Sequence, residues 1–361
     1  MNDERSAVEQ IEGLGDDEDS SFGEYPIDTV LIRNENRTVH DVLRRIEKGS
    51  FIMDPDFQRD FVWPDDKQSK LIESVLMRIP LPVFYLAENS QGRMIVVDGL
   101  QRLSTFRRFV DNELKLKLPL QPELNGKTFG KLSPKLQNRV EDCNLILYLI
   151  DAKVPQRALL DIFERVNSGV PLTRQQMRNC LYMGRGTTFL KEEASTPLFL
   201  EATGGSLTPQ TMRDREFVNR FCAFYLLGAK EYKGDMDDFL GKALDKMNDA
   251  TDERLQALSS DFRRGVANNL TLFGKHSFRK HAPEQSRRGL LNASLWDVFS
   301  TGLARYSKEA VEANKERLLT AFYALLEESE FIDSITLGTN SVKRVQYRFG
   351  RAEKLFKEVF N

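Results

Sequence analysis

The sequence is poor in the residues that build disulfide frameworks and metal centres. Its three cysteines, Cys143, Cys180 and Cys222, are far apart and odd in number, which argues against a disulfide scaffold or a zinc knuckle and leaves them as core thiols. Histidine is confined to His40, His276 and His281, too few for a histidine-rich metal site. No stretch approaches the roughly 18 apolar residues of a bilayer-spanning helix. The start, MNDERSAVEQ, is polar and acidic, unlike a signal peptide. A cytoplasmic protein with no membrane partner is the expectation. Familiar signatures are missing too: there is no GxxxxGK[ST] loop, no GxGxxG after a strand, no GxSxG elbow and no HExxH helix. Any nucleotide chemistry must use a less common architecture.

What is present is material for a large core. With 361 residues, 40% of them hydrophobic, the chain is long enough for about two domains. The net charge of −2 hides an asymmetry, because residues 1–24 hold nine acidic side chains against the single Arg5 and leave 51 basic against 45 acidic elsewhere. The head, containing EGLGDDEDSSFGE, lacks an apolar period and reads as a disordered acidic tail over 1–24. The mild positive balance beyond it is compatible with DNA as a partner without requiring it.

The chain is organised around Met94 to Val110, MIVVDGLQRLSTFRRFV. Met94 to Val97 is a short apolar strand, closed by the breaker pair Asp98-Gly99. Leu103, Phe106 and Val110 then recur at helical spacing and turn one face inwards. Gln101 and Arg102 are left in the first helical turn, where backbone N–H groups lack partners and the dipole favours an anion. On these residues alone, Asp98 either caps the helix or serves a ligand, and Arg102 is either solvated or paired with an anion.

Before this stretch, Ile27 to Ile32 reads as a strand, and Thr38-Val-His-Asp41 opens a helix through Val42, Leu43 and Ile46 that Gly49 stops. Phe51 begins a short strand, and Pro64 with Asp65 and Asp66 starts a second helix that Pro80 ends. Val83 to Ala87 is a further strand, followed by a hairpin-like turn at Gln91-Gly92. Asn144 to Ile150, NLILYLI, is a continuous apolar run expected of a buried strand. Beyond Pro155 strand signals nearly vanish. Helices are expected over 156–166, 173–182, 214–227, 252–273, 290–306, 308–326 and 342–360. The fold class is therefore α+β, with a mixed-sheet domain over 25–154 and an all-helical domain over 155–361.

Three segments in order, FQRDFVWPDDKQSKLIESVLMRIPLPVFYL, VVDGLQRLSTF and IFERVNSGVPLTRQQMRN, resemble the N-terminal domain of GmrSD-type restriction endonucleases, domain-of-unknown-function family 262. The resemblance covers roughly residues 30–230. The terminal TNSVKRVQYRFGRAEKLF is similar to the last helix of many longer members. The resemblance implies a ParB/sulfiredoxin-like domain in which a G-x-x-R turn holds nucleotide phosphates. It also implies NTP binding, with Mg²⁺ as cofactor, and hydrolysis that controls attack on foreign DNA. The family motif usually reads D-G-Q-Q-R, and this chain departs from it at Leu100, so binding is a safer inference than turnover. A sulfiredoxin-like reductase is disfavoured because no cysteine lies in the turn.

Carried onto this sequence, the resemblance makes Gln58, Arg59, Gly99, Leu100, Gln101 and Arg102 the nucleotide-binding residues. Arg102 would pair with phosphate oxygens and Gly99 would admit the backbone to them. Asp98 and Gln101 are the candidate catalytic residues, and Asp98 with Glu73 the candidate Mg²⁺ ligands, the alternatives being a helix cap and a solvated surface carboxylate. Trp63 either stacks on a base or is structural. Asn167 and Gly169 form a helix end and turn or line the pocket. Lys275, Arg279, Lys280, Arg287 and Arg288, in a loop with Phe278 and two histidines, either contact DNA phosphates or form a charged surface. Arg344, Arg348 and Arg351 line up on the last helix, facing nucleic acid, the pocket or solvent. The C-terminal histidines lack the D-H-x-x-P context of an HNH nuclease, so DNA attack is expected from a separate nuclease subunit. The competing readings are a non-enzymatic DNA-binding adaptor that senses a nucleotide, and a weak nickase using Asp98 and Glu73.

Overall fold

A computed structural model describes residues 11–14, 32–53, 63–89, 92–154, 156–166 and 173–360. The chain divides into two compact units, Phe22–Leu172 and Thr173–Asn361 together with Met1–Ser21. The first contains a mixed five-stranded sheet and the second is helical among its described residues. The fold class is α+β.

In the sheet unit, β1 (Ile32–Thr38), β2 (Phe51–Ile52), β3 (Phe84–Glu88), β4 (Met94–Asp98) and β5 (Asn144–Ile150) are ordered β1-β5-β3-β4-β2. The outer pair β1/β5 is antiparallel, with Ile32 opposite Ile150 and Thr38 opposite Asn144. Next, β5/β3 is parallel, β3/β4 antiparallel and β4/β2 parallel. Of the strand expected over Ile27 to Ile32 only Ile32 lies within the described residues, and the strand described there continues to Thr38. Thr38 ends β1 and caps α1 (Val39–Glu47), its hydroxyl accepting from the Asp41 amide at 3.2 Å.

At β4 both faces of the sheet are covered, which is why it reads as a continuous apolar run, whereas β5, expected to be buried throughout, alternates, with Leu145, Leu147 and Leu149 buried and Ile146 exposed. Val96 packs in the cluster formed with α1, α2 (Asp65–Leu76) and α3 (Leu100–Val110). Ile95 and Val97 point to the opposite face and are equally buried, and α5 (Gln156–Val166) packs against β4 with Ala158 and Phe163 buried. Between β4 and β5 the chain adds the short α4 (Pro134–Glu141).

The helical unit runs α6 (Arg174–Leu181), α7 (Arg185–Ala194), α8 (Pro197–Thr203), α9 (Arg213–Leu226), α10 (Met236–Asn248) and α11 (Asp252–Phe273), then α12 (Ala293–Leu303), α13 (Lys308–Ala313), α14 (Lys315–Glu327), α15 (Ser329–Thr336) and α16 (Val342–Phe360). Its centre is α12, of which only Gly302 is not buried. Trp296 is wholly enclosed there and donates its indole N–H to the Phe217 carbonyl at 2.7 Å. The single helix expected over 308–326 is broken at Asn314, whose side chain donates to the Ala310 carbonyl at 3.0 Å and so competes with the helical ladder.

Composition made the whole acidic head a disordered tail, and for Ile11–Leu14 this is corrected. Glu12 forms a parallel bridge with Asn292, and Ile11 and Leu14 pack on the helical core.

Candidate functional site

The turn between β4 and α3 is built on one tight approach. Gly99 caps α3 at φ 98°, a left-handed conformation that glycine adopts without strain. A Cβ at this position would lie 2.2 Å from Cδ1 of Phe84, which is fully buried on β3. Gly99 has no side chain with which to cap α3, and the first amides of a helix have no intrahelical partner and lie at the positive end of its dipole.

Arg102 does not stand ready for an anion, as expected of a phosphate clamp. Its guanidinium lies over the Phe84 ring, 4.2 Å from the centroid, and donates to the carbonyls of Pro82 and Val83 and to Asp98, the last at 2.8 Å. The side chain is 9% exposed. Burial pushes its pKa down, and the Asp98 carboxylate opposes that shift. Arg102 therefore fastens the turn to the entry of β3. This corrects the sequence reading, which saw a first-turn residue but not the carbonyls that β3 would bring to it.

The neighbouring residues are also engaged. Gln101 accepts from the Trp63 amide at 3.1 Å, tying the turn to the start of α2. Lys67 sits over the Trp63 indole, 4.3 Å from its centroid. Leu100 is half-buried and packs on the sheet-unit core. Asp98 keeps a third of its side chain exposed. Gln58, Arg59, Asn167 and Gly169 lie outside the described residues. Glu73 is half-buried on α2. Among the described residues no group of three or more histidine, cysteine, aspartate or glutamate side chains is placed to hold a metal. Asp98, moreover, already shares its carboxylate with a guanidinium, so a resident Mg²⁺ held by Asp98 and Glu73 does not fit these residues.

Residues 39–183 match the family model of the GmrSD restriction endonuclease N-terminal domain. This chain carries a GmrSD-type N-terminal domain. The matched segment runs from α1 through the β4–α3 turn to just beyond α6. No curated protein matches the chain.

Outside the GmrSD-type domain, the basic loop is less uniform than its sequence. Arg279 is 1% exposed and donates to the carbonyls of Ala202, Thr203, Ser277 and Gly289, which ties the loop to the end of α8. Burial, with Arg288 nearby, pushes its pKa down to about 10. It is a structural strut and leaves the proposed DNA-contacting set. Lys280 is paired with Glu12, and Arg288 donates to the Gly204 carbonyl at 2.9 Å. Lys275, Arg287 and Arg288 are exposed.

The arginine row of the last helix is likewise split. Arg348 is fully buried, 3.2 Å from Asp297, which also takes Arg220 at 2.6 and 2.8 Å. Arg351 pairs with Glu328, and Arg344 donates to the Asp333 carbonyl at 2.8 Å. Sequence reading missed Asp297 and Phe84. The signal for Asp297 was a lone acid inside the apolar run NASLWDVFS. Phe84 gave none, because its role comes from the pairing of β3 with β4.

Proposed function

We propose that this chain is the nucleotide-binding control component of a restriction or anti-phage defence system, acting on DNA through a partner nuclease. The GmrSD-type match supports the kind of system. The observation that carries nucleotide binding is the uncapped start of α3 at Gly99, directly after β4. Backbone N–H groups there can donate to phosphate oxygens, and the helix dipole favours the negative charge. Arg102 acts as a positioning residue, holding the turn in the shape that presents those amides. Asp98, part exposed beside it, is the group nearest in sequence that could accept a hydrogen bond from a ribose or a bound water. The reading as a DNA-binding adaptor is weakened because Arg279 is buried and Lys280 is paired.

The test is calorimetry with each of the four ribonucleoside triphosphates on the wild type and on Gln101→Glu. This substitution is isosteric and keeps an acceptor for the Trp63 amide. It also places a carboxylate in the first turn, where it suits the helix and repels a phosphate. Affinity should fall by roughly tenfold or more, about 1.4 kcal/mol, with an unchanged melting temperature. Equal affinity in both proteins would remove the turn as the phosphate site, and no binding to the wild type would remove the nucleotide reading.

A further inference from the structure

The four residues Ile11–Leu14 are held by the helical unit as a ligand is held. Glu12 donates its amide to the Leu291 carbonyl at 2.9 Å and its carbonyl accepts from the Ala293 amide at 2.8 Å, the two-sided pairing of strand addition. The Gly13 carbonyl accepts from Ser294 at 3.2 Å and from Thr339 at 2.9 Å, and the Leu14 carbonyl from Asn340 at 3.0 Å. The Glu12 carboxylate meets Lys280 on one oxygen and Asn292 Nδ2, at 3.2 Å, on the other. Asn292, Ser294 and Thr339 are completely buried.

Two positions of the segment are read by identity. Gly13 lies at φ 75°, and a Cβ there would come 2.7 Å from the Ile335 carbonyl and 3.1 Å from Asn292 Oδ1, so a larger residue meets both backbone strain and a wall. Glu12 is read by Lys280 and Asn292 together. Ile11 and Leu14 supply apolar anchors on either side. An array of buried donors aimed at one passing backbone is costly unless those donors are satisfied.

We infer that the helical unit contains a peptide-recognition groove, walled by the 291–294 segment and the 335–340 segment, whose ligand is an extended apolar-Glu-Gly-apolar peptide. Residues 11–14 fill it in cis. The helical unit is thus discontinuous in sequence: its first piece precedes the sheet unit and the rest follows it. Because the segment belongs to the same chain as the groove, its binding is intramolecular, and a free peptide competes poorly until the segment is released.

The test uses the full chain and a fluorescein-labelled peptide of sequence VEQIEGLGDD, followed by anisotropy. Gly13→Val in the chain should vacate the groove, with Glu12→Lys as a second way of vacating it. The peptide should bind either variant at least tenfold more tightly than the wild type, and a peptide carrying Gly13→Val should bind none of them. Adding Lys280→Glu to the Gly13→Val chain should switch preference to a peptide carrying Glu12→Lys. In the wild type, the Glu12 and Ala293 amides should exchange hydrogen at least tenfold more slowly than in Gly13→Val. Absence of peptide binding to both variants, or equal binding to variants and wild type, overturns the groove. Exchange of the Glu12 amide at the rate of an open chain in the wild type overturns the cis occupancy.

Discussion

Phe84 occupies the space that a side chain on residue 99 would need, its Cδ1 standing 2.2 Å from where a Cβ would be. Gly99→Ala must move a fully buried ring and also hold alanine at φ 98°. Overpacking costs about 1–3 kcal/mol and the strained backbone about as much again. The sheet unit should lose roughly 3 kcal/mol, read by urea unfolding of Trp63 fluorescence in a Trp296→Phe background. Gly49, at φ 71° with open space for 4 Å around the place a Cβ would take, is the control. Gly49→Ala should cost only the backbone share, and equal losses at both sites would show that Phe84 yields freely.

Arg102 is the second fastening. Arg102→Ala strips the Pro82 and Val83 carbonyls and the Asp98 carboxylate of their donor. Breaking a buried charged network in this way costs about 3–5 kcal/mol, and the part exposure of Asp98 places the expected loss at the lower end. Arg102→Lys should recover only part of it, because an ammonium cannot reproduce the planar fork or its stacking on Phe84. Denaturant midpoints of the three proteins decide this. A fully stable Arg102→Ala protein would return the guanidinium to the role of a spare phosphate ligand.

These two residues mark the limit of what the sequence discloses. The strand, breaker and helix over 94–110 were legible because apolar period and turn chemistry agree locally, and the span of β5 was legible for the same reason. The boundary of α1 followed from its capping threonine. What Arg102 touches was not legible, since Pro82 and Val83 reach it through the pairing of β3 with β4. Helices α4, α7, α8, α10 and α15 were missed. The stretch carrying α8, Thr196-Pro197 onwards, has a capping signal but only seven helical residues, too few to establish a period. Arg279 and Arg348 looked like surface charge because burial of an arginine depends on carbonyls and carboxylates from distant segments.

The helical unit should be sensitive to mild acid. His281 contacts the Arg279 carbonyl through Nδ1 at 2.9 Å and the Tyr323 hydroxyl through Nε2 at 3.3 Å, and stacks on His276 at 4.7 Å. Phe273 and Phe322 flank it, and Lys275 and Arg279 are the cations beside His276. Burial lowers the pKa of both imidazoles, and for His276 the neighbouring cations add to the shift. A histidine whose folded pKa is depressed binds fewer protons folded than unfolded. Its contribution to stability is then full above the unfolded pKa of about 6.5 and is lost as pH falls below it. The thermal midpoint followed by Trp296 fluorescence, in a Trp63→Phe background, should fall between pH 7.5 and 5.5, and His281→Phe should flatten the dependence. A wild-type midpoint that does not move would rule out the histidine pair as the cause.

Substitution at position 100 tests whether the proposed nucleotide binding is followed by turnover. Leu100 stands in the first turn of α3 beside Gln101, half-buried against the sheet-unit core, where a D-G-Q-Q-R sequence would place an amide. A leucine can neither donate to a phosphate oxygen nor orient an attacking water, whereas a glutamine can do either. Leu100→Gln gives up part of an apolar contact, a cost of about 1 kcal/mol, and leaves Gly99, Gln101 and Arg102 in place. If binding at this turn is as proposed, phosphate release at saturating nucleotide and Mg²⁺ should rise roughly tenfold, about 1.4 kcal/mol of barrier. Nucleotide affinity should change far less, because the backbone amides that would hold the phosphates are untouched. Colorimetric phosphate assays on both proteins, with and without duplex DNA, make the comparison. Equal release would show that residue 100 serves packing alone, and a parallel loss of affinity would show that Leu100 itself shapes the phosphate site.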